Sequence, residues 1–133
     1  MPISIDQNFS NMNAIPECLH GFMEKLRQCA KILKYEEWGY SRRKGDTQCY
    51  SINFDMGDVG LGFAPKMVWY IHHFTAKGEA FINCYNCIGS DSKNYSMQLA
   101  TALNHAGIKC RVTTYKQSVG VAVDANFIYD LKG

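Results

Sequence analysis

Apolar residues in the first quarter of the chain recur at the spacing of an α-helix. From Ile15 to Leu33 an apolar residue occurs every three or four positions, which is the period of one buried helix face. Asn13 is a suitable N-cap residue, and Pro16 falls in the first turn, where its missing N–H costs little. The spacing therefore predicts a helix over this stretch, preceded by a polar segment that forms a loose arm or an edge strand.

The middle of the chain alternates between apolar and polar residues, which is the pattern of β-strands. Residues 48–54 alternate at every position, and this predicts a half-buried strand. Two aromatic and β-branched runs follow, residues 67–74 and 80–87, with a short polar break at 75–79 between them, and they predict a β-hairpin. The segment 38–46, which lies between the first helix and these strands, is predicted to be a turn region.

A second helix and two more strands are predicted in the last third of the chain. Asp91 or Ser92 can cap the helix, and the pair Gly107–Ile108 is typical of a Schellman ending. Alternation then predicts strands at residues 110–115 and 119–123, followed by a short terminal helix. The resulting order is α-β-β-β-α-β-β. Hairpins with helices packed on one face define the α+β class, here with an antiparallel or mixed sheet of about five strands and two helices on one face.

Length and composition favour one ordinary globular domain, residues 1–133. The chain is 47% hydrophobic and 20% charged, as in many globular proteins. It begins without the basic and apolar segments of a secretory signal, and we expect no membrane span, since no apolar run approaches the required length. The six cysteines are therefore expected to be reduced thiols in the cytoplasm.

Positive charge is concentrated in one part of the chain. The net charge is only +2, but half of the 14 Lys and Arg residues lie between Lys25 and Lys44. Arginines in such a segment can contact phosphates while aromatic rings stack on bases or on a flat ligand. The predicted basic turn at residues 38–44 is therefore a candidate ligand-binding surface, with the candidate residues Trp38, Tyr40, Arg42 and Arg43.

Two cysteines near the end of the hairpin form a Cys-x-x-Cys motif. Two thiols at the spacing of Cys84 and Cys87 can bind one tetrahedral zinc, and further ligands would come from His72, His73, Cys49 or Cys110. A regular strand, however, directs the two thiols to opposite faces, and the chain has no second Cys-x-x-Cys motif. We therefore interpret the two cysteines as packing groups and expect no bound metal or cofactor.

The adjacent histidines of the hairpin cannot act together at one metal. Neighbouring strand residues face opposite ways, so one of His72 and His73 is expected to face the core and the other solvent or a cleft. A lone histidine base would need a carboxylate partner such as Asp55, Asp58 or Glu79. No complete set of nucleophile, base and orienting group can be assembled from spacing, so a small enzyme that uses His72 or His73 stays an alternative.

The open face of the sheet is expected to carry aromatic side chains. It would display Trp69 or Tyr70, one of the two histidines, and Phe81 or Tyr85. Aromatic residues on such a face often mark a binding surface or a dimer interface. We therefore favour a non-catalytic cytoplasmic binding module for a small molecule or a protein partner, assembled as a homodimer. The alternatives are a nucleic-acid or nucleotide binder that uses the basic turn, and the small enzyme.

Overall fold

The protein folds into one antiparallel sheet with two helices against it. The structure, a computed structural model, describes residues 5–9, 17–44, 49–56, 66–74, 79–86, 92–115 and 117–124. A short 3₁₀ turn, Glu17–Leu19, precedes the first helix. In chain order the elements are β1 (Ile5–Phe9), α1 (His20–Ile32), β2 (Glu36–Lys44), β3 (Cys49–Asp55), β4 (Lys66–Phe74), β5 (Glu79–Asn86), α2 (Ser92–His105), β6 (Cys110–Tyr115) and β7 (Ser118–Asp124).

The seven strands pair in the order β1-β2-β3-β4-β5-β7-β6, and every pairing is antiparallel. The first five strands follow one another in space as they do in sequence. The chain then leaves β5, forms α2 and returns as β6 and β7, with β7 inserted next to β5. The α+β class is confirmed. The expectation of about five strands is wrong, because β1 and β2 add to the five that alternation predicts.

Strand β2 is the larger departure from the predicted structure. The segment 38–46 was predicted to be a turn, yet Glu36–Lys44 forms a strand paired with both β1 and β3. Six of its nine residues are glutamate, arginine, lysine or glycine, and pairing on both sides outweighs their weak preference for strands. The register shifts between Glu37 and Gly39, so Trp38 lies at a β-bulge. The described part of the N-terminal polar segment, Ile5–Phe9, is an edge strand, which confirms one of the two alternatives.

Both helices end in Schellman motifs. At the end of α2, Gly107 has φ +86°, and the N–H of Ile108 donates to the Leu103 carbonyl at 3.0 Å, which confirms the predicted ending. Helix α1 ends in the same way without a glycine, because Lys34 adopts φ +63°. Helix α1 begins at His20, later than predicted, and has no side-chain cap. Asn13, Pro16, Asp91 and the predicted terminal helix lie outside the described residues.

The two faces of the sheet have different roles. The helices cover one face and form the core with alternate strand residues, including Tyr50, Ile52 and Phe54 of β3. The opposite face of the sheet, here called the outer face, carries the strand residues that alternate with these core residues. On β3 these are Ser51 and Asn53, which are only 2% and 3% exposed. The strand predicted to be half-buried is therefore buried on both faces.

Candidate ligand-binding face

Four rings lie in a continuous row on the outer face. Tyr70 and His72 come from β4, and Phe81 and Tyr85 come from β5; these four residues are called the ring row. His72 and Phe81 are directly opposite in the strand register. The ring centroids are 6.4 Å apart for Tyr85 and Tyr70, 6.5 Å for Tyr70 and His72, and 6.4 Å for His72 and Phe81. The tilted and edge-on arrangements are those that aromatic pairs prefer.

Exposure changes sharply along the ring row. Tyr85 is 57% exposed and is one of three exposed large apolar residues among those that the structure describes, whereas Phe81 is 4% exposed. Tyr70 and His72 are partly buried between them. The Phe81 ring lies over Gly120 of β7, where a Cβ atom would be only 2.5 Å from Phe81 Cζ. The buried end of the row is thus held by the sheet, while the other end is accessible to a ligand.

Neutral polar groups lie beside the ring row. Ser51 and Tyr70 are opposite each other in the register, as are Asn53 and Val68. The Ser51 hydroxyl donates to Asn53 Oδ1 at 3.5 Å, and both side chains are buried. Asn83, which pairs with Tyr70 on the other side, is partly buried. Aromatic rings with a few fixed polar groups are the usual composition of a small-molecule site.

Charged side chains near the ring row are paired with one another. Lys66 Nζ lies 2.6 Å from Asp55 Oδ1. Arg111 reaches both carboxylate oxygens of Glu79, at 2.5 and 3.2 Å. Asp55 and Glu79 are two of the three carboxylates considered as partners for a histidine base, and both are held by cations. The third, Asp58, lies outside the described residues.

Two of the residues nominated from the sequence are packing residues. Trp69 is 1% exposed and packs edge-on against Phe54, with ring centroids 4.6 Å apart, and against Tyr35 at 5.9 Å. Tyr70, and not Trp69, therefore lies on the outer face. Tyr40 is 2% exposed, and its hydroxyl donates to Glu37. Burial, reinforced by this hydrogen bond, raises the pKa of Tyr40, so the side chain stays neutral and tied to the strand.

The segment predicted to be a basic turn is extended in this fold. It belongs to β2, where Arg42 is opposite Tyr50 and Arg43 is opposite Cys49, so the two arginines occupy alternate rows of the sheet. Arg27, another cation of the basic segment Lys25–Lys44, is engaged by Glu37 at 2.6 Å and Glu24 at 2.5 Å. The hydrogen bond that Arg27 donates to the Glu37 carboxylate raises the pKa of Arg27.

The two histidines are consecutive residues of β4, so their positions belong to opposite faces of the sheet. His72 is opposite Phe81 of the ring row, and His73 is opposite Ala80, which is buried in the core. For His73, as for Trp38, Arg42 and Arg43, the structure describes the backbone position. Of the nominated residues, the fold therefore brings Tyr70 and His72 together, and it places both Phe81 and Tyr85, which were alternatives in the sequence, on the same face.

The cysteine positions do not assemble a metal site in the part of the chain that the structure describes. Cys84 is fully buried on the helix side of the sheet, and Cys87 lies outside the described residues. Cys110 contacts the Ala100 carbonyl, with Sγ 3.4 Å from the oxygen. Within the described ranges, no three His, Cys, Asp or Glu side chains are grouped as metal ligands would be.

Burial controls the chemistry of the Cys84 thiol. Burial raises its pKa to about 12, and the adjacent Ser96 hydroxyl offsets only part of that effect. An unfolded cysteine ionises near pH 8.5, so the folded state keeps a proton that the unfolded state loses above this pH. The contribution of Cys84 to the free energy of unfolding is therefore complete below about pH 8.5 and is lost as the pH rises towards 12.

We expect the free energy of unfolding to fall by about 1.4 kcal/mol per pH unit through Cys84 between about pH 8.5 and 12. Urea unfolding at pH 7.5 and pH 10 measures this fall. The variant Cys84→Ala has no thiol at this position and should lack the part of the fall that Cys84 causes. The cavity left by the substitution costs the same at both pH values, so it cancels in the difference. Equal falls in the parent chain and in Cys84→Ala would contradict the assignment.

No helix in the described residues is long and apolar enough to cross a membrane. Comparisons with protein-family models, with curated proteins and with solved structures found no match for this chain.

Proposed function

We propose that the protein is a non-catalytic binding module whose ligand, a small molecule or a segment of a partner protein, lies on the ring row. The observation that carries this proposal is the exposure of Tyr85, 57%, at the end of a row whose other rings are partly or fully buried. An exposed tyrosine supported from behind by Tyr70 loses little side-chain freedom on binding. Such residues contribute strongly to recognition.

The charges around the ring row indicate the chemistry of the ligand. The nearby cations Lys66 and Arg111 are paired with Asp55 and Glu79 on the same chain. The polar groups next to the rings, Ser51 and Asn53, are neutral. A planar or apolar ligand with a few hydrogen-bonding groups fits these surroundings better than a polyanion does, because a polyanion would have to compete with the existing ion pairs.

The same ion pairs favour binding over catalysis. A histidine base needs a carboxylate or another group to orient it, and the described candidates, Asp55 and Glu79, are engaged by cations. Location in the cytoplasm is part of the proposal and is supported by the free thiols of Cys29, Cys84 and Cys110. A homodimer is also part of the proposal.

The nucleic-acid alternative keeps one supporting observation. Arg43 is opposite Cys49, and Cys49 is opposite His72, so the Arg43 position belongs to the same cross-strand row as the ring row. Single-stranded nucleic acids bind to rings flanked by basic residues. Arg42 belongs to the neighbouring row with Tyr50. The variants Arg43→Ala and Arg42→Ala are therefore a matched pair for testing the alternative.

The proposal is tested by native mass spectrometry of gently purified protein, followed by a thermal-shift panel. The panel contains adenosine, indole and riboflavin, aliphatic compounds of similar mass, and a single-stranded oligonucleotide. We expect a retained mass or a planar compound that raises the melting temperature, and Tyr85→Ala should weaken its binding about tenfold, the loss of roughly one aromatic contact. Ile32→Ala is the control, since Ile32 is 66% exposed but lies at the end of α1.

Three results would contradict the proposal. The first is a chain with no retained mass and no response to any compound, which would exclude a small-molecule ligand. The second is equal weakening by Tyr85→Ala and Ile32→Ala. The third is binding of the oligonucleotide alone, weakened by salt and lost in Arg43→Ala but kept in Arg42→Ala, which would establish the nucleic-acid alternative.

A further inference from the structure

Strand β6 has one edge to which the structure assigns no partner among the described residues. It is the last strand in the sheet order and pairs with β7 on its other side. The N–H of Cys110 turns away from β7 and donates to Asn104 Oδ1 at 3.3 Å. Backbone groups alternate along an antiparallel strand, so the N–H and C=O groups of Val112 and Thr114 point to this same outer edge.

The sequence of β6 leaves this edge suitable for pairing. Val112, Thr113 and Thr114 are β-branched, and the strand contains no proline and no register shift. Proteins usually protect an edge with charges, prolines or bulges. The single charged residue of β6, Arg111, is held by Glu79 at 2.5 Å. Within Cys110–Tyr115, two copies of this edge would therefore meet without bringing unpaired like charges together.

An exposed apolar side chain lies beside the same edge. Helix α2 packs against β6, and Asn104 contacts the backbone of Cys110. Met97 lies two helical turns before Asn104 on the same stripe of α2 and is 50% exposed. The edge of β6 and Met97 thus form one surface with both hydrogen-bonding and apolar parts.

We infer that this surface binds a second copy of the chain through antiparallel β6–β6 pairing. In the register that leaves the Cys110–Asn104 bond intact, Val112 of each copy is opposite Thr114 of the other, and Thr113 lies on the two-fold axis. An antiparallel strand pair is self-complementary about such an axis, which a closed dimer requires. The inference specifies the homodimer that the proposed function includes, and the ring row on β4 and β5 is not part of this surface.

A cysteine at the two-fold axis tests this register. Thr113 does not use its backbone groups on this edge, and such opposed residues have Cα atoms about 4.5 Å apart, within the range that a disulfide spans. We expect Thr113→Cys to form a covalent dimer under mild oxidation. Gln117→Cys, at the exposed end of the hairpin, should not, since the two copies of residue 117 would be far apart. The unchanged chain gives the background from the native thiols.

Two further variants separate the surface from general instability. Thr114→Pro removes an N–H that β7 does not use, so the dimer should be lost by light scattering while the circular dichroism spectrum is kept. Met97→Glu should weaken the dimer at least tenfold, and Gln98→Glu, on another side of α2, should not. A monomeric parent chain, or a dimer that persists in Thr114→Pro and forms no Thr113→Cys cross-link, overturns the inference. Neither result depends on the ligand of the ring row.

Discussion

Trp69→Ala is expected to destabilise the protein by about 3–5 kcal/mol, the range for removing a large aromatic side chain from a core. Trp69 is 1% exposed and sits at the centre of the helix-covered face, opposite Ile52 on β3 and Cys84 on β5. Its edge-on contact with Phe54, at 4.6 Å, adds to the loss because such pairs stabilise beyond the area they bury. Domains of this size are typically stable by about 5–15 kcal/mol, so the variant should be only marginally folded.

Urea unfolding followed by circular dichroism measures this loss, because tryptophan fluorescence would change with the substitution itself. Tyr70→Ala is the matched control: it is the next residue of the same strand, but it lies on the outer face. We expect Tyr70→Ala to lose less stability and to affect ligand binding, whereas Trp69→Phe should recover much of the stability. Equal losses in Trp69→Ala and Tyr70→Ala would mean that the two faces are not distinguished as the structure describes.

The elements predicted well are those with a strong hydrophobic period. Strand β3, the β4–β5 hairpin and helix α2 each have a clear repeat of apolar residues, and their bounds differ by one or two residues from those expected. Strand β2 has no such repeat, because Glu36, Arg42 and Arg43 interrupt any apolar pattern. It is a strand because β1 and β3 pair with it on either side, and local sequence does not contain that information.

The candidate site was predictable only in part. Alternation separates Trp69 from Tyr70, but it does not say which face the helices cover. The strand register of the hairpin also determines which residues share a face. With His72 opposite Phe81, one face carries Tyr70, His72, Phe81 and Tyr85. The break expected at 75–79 does not give this register, because five loop residues would place Phe74 opposite Ala80 and His72 opposite Ile82. The burial of Ser51 and Asn53 could not be predicted either, since polar strand residues are ordinarily exposed.

Gly120→Ala is the second substitution with a large expected effect, about 3 kcal/mol or more. The added Cβ atom would overlap the carbonyl oxygen of Ile82 and lie 2.5 Å from Cζ of the Phe81 ring. The carbonyl belongs to β5, which is paired with β4 on one side and β7 on the other, so it cannot withdraw without breaking a ladder. Gly120 is thus required by the close approach of the β5 backbone and by the placement of Phe81.

Gly107→Ala is the control, because a Cβ there meets nothing within 4 Å and only the positive φ of +86° is unfavourable, a cost of about 1–2 kcal/mol. Urea unfolding of both variants compares a steric with a conformational cost. Adding Phe81→Leu to Gly120→Ala should restore little, since the Ile82 carbonyl stays in place. A loss in Gly120→Ala no greater than that in Gly107→Ala would contradict the packing. The ring centroids of Phe81 and His72 are 6.4 Å apart, so displacement of the Phe81 ring in Gly120→Ala should also weaken ligand binding at the ring row. Gly107→Ala should leave that binding unchanged.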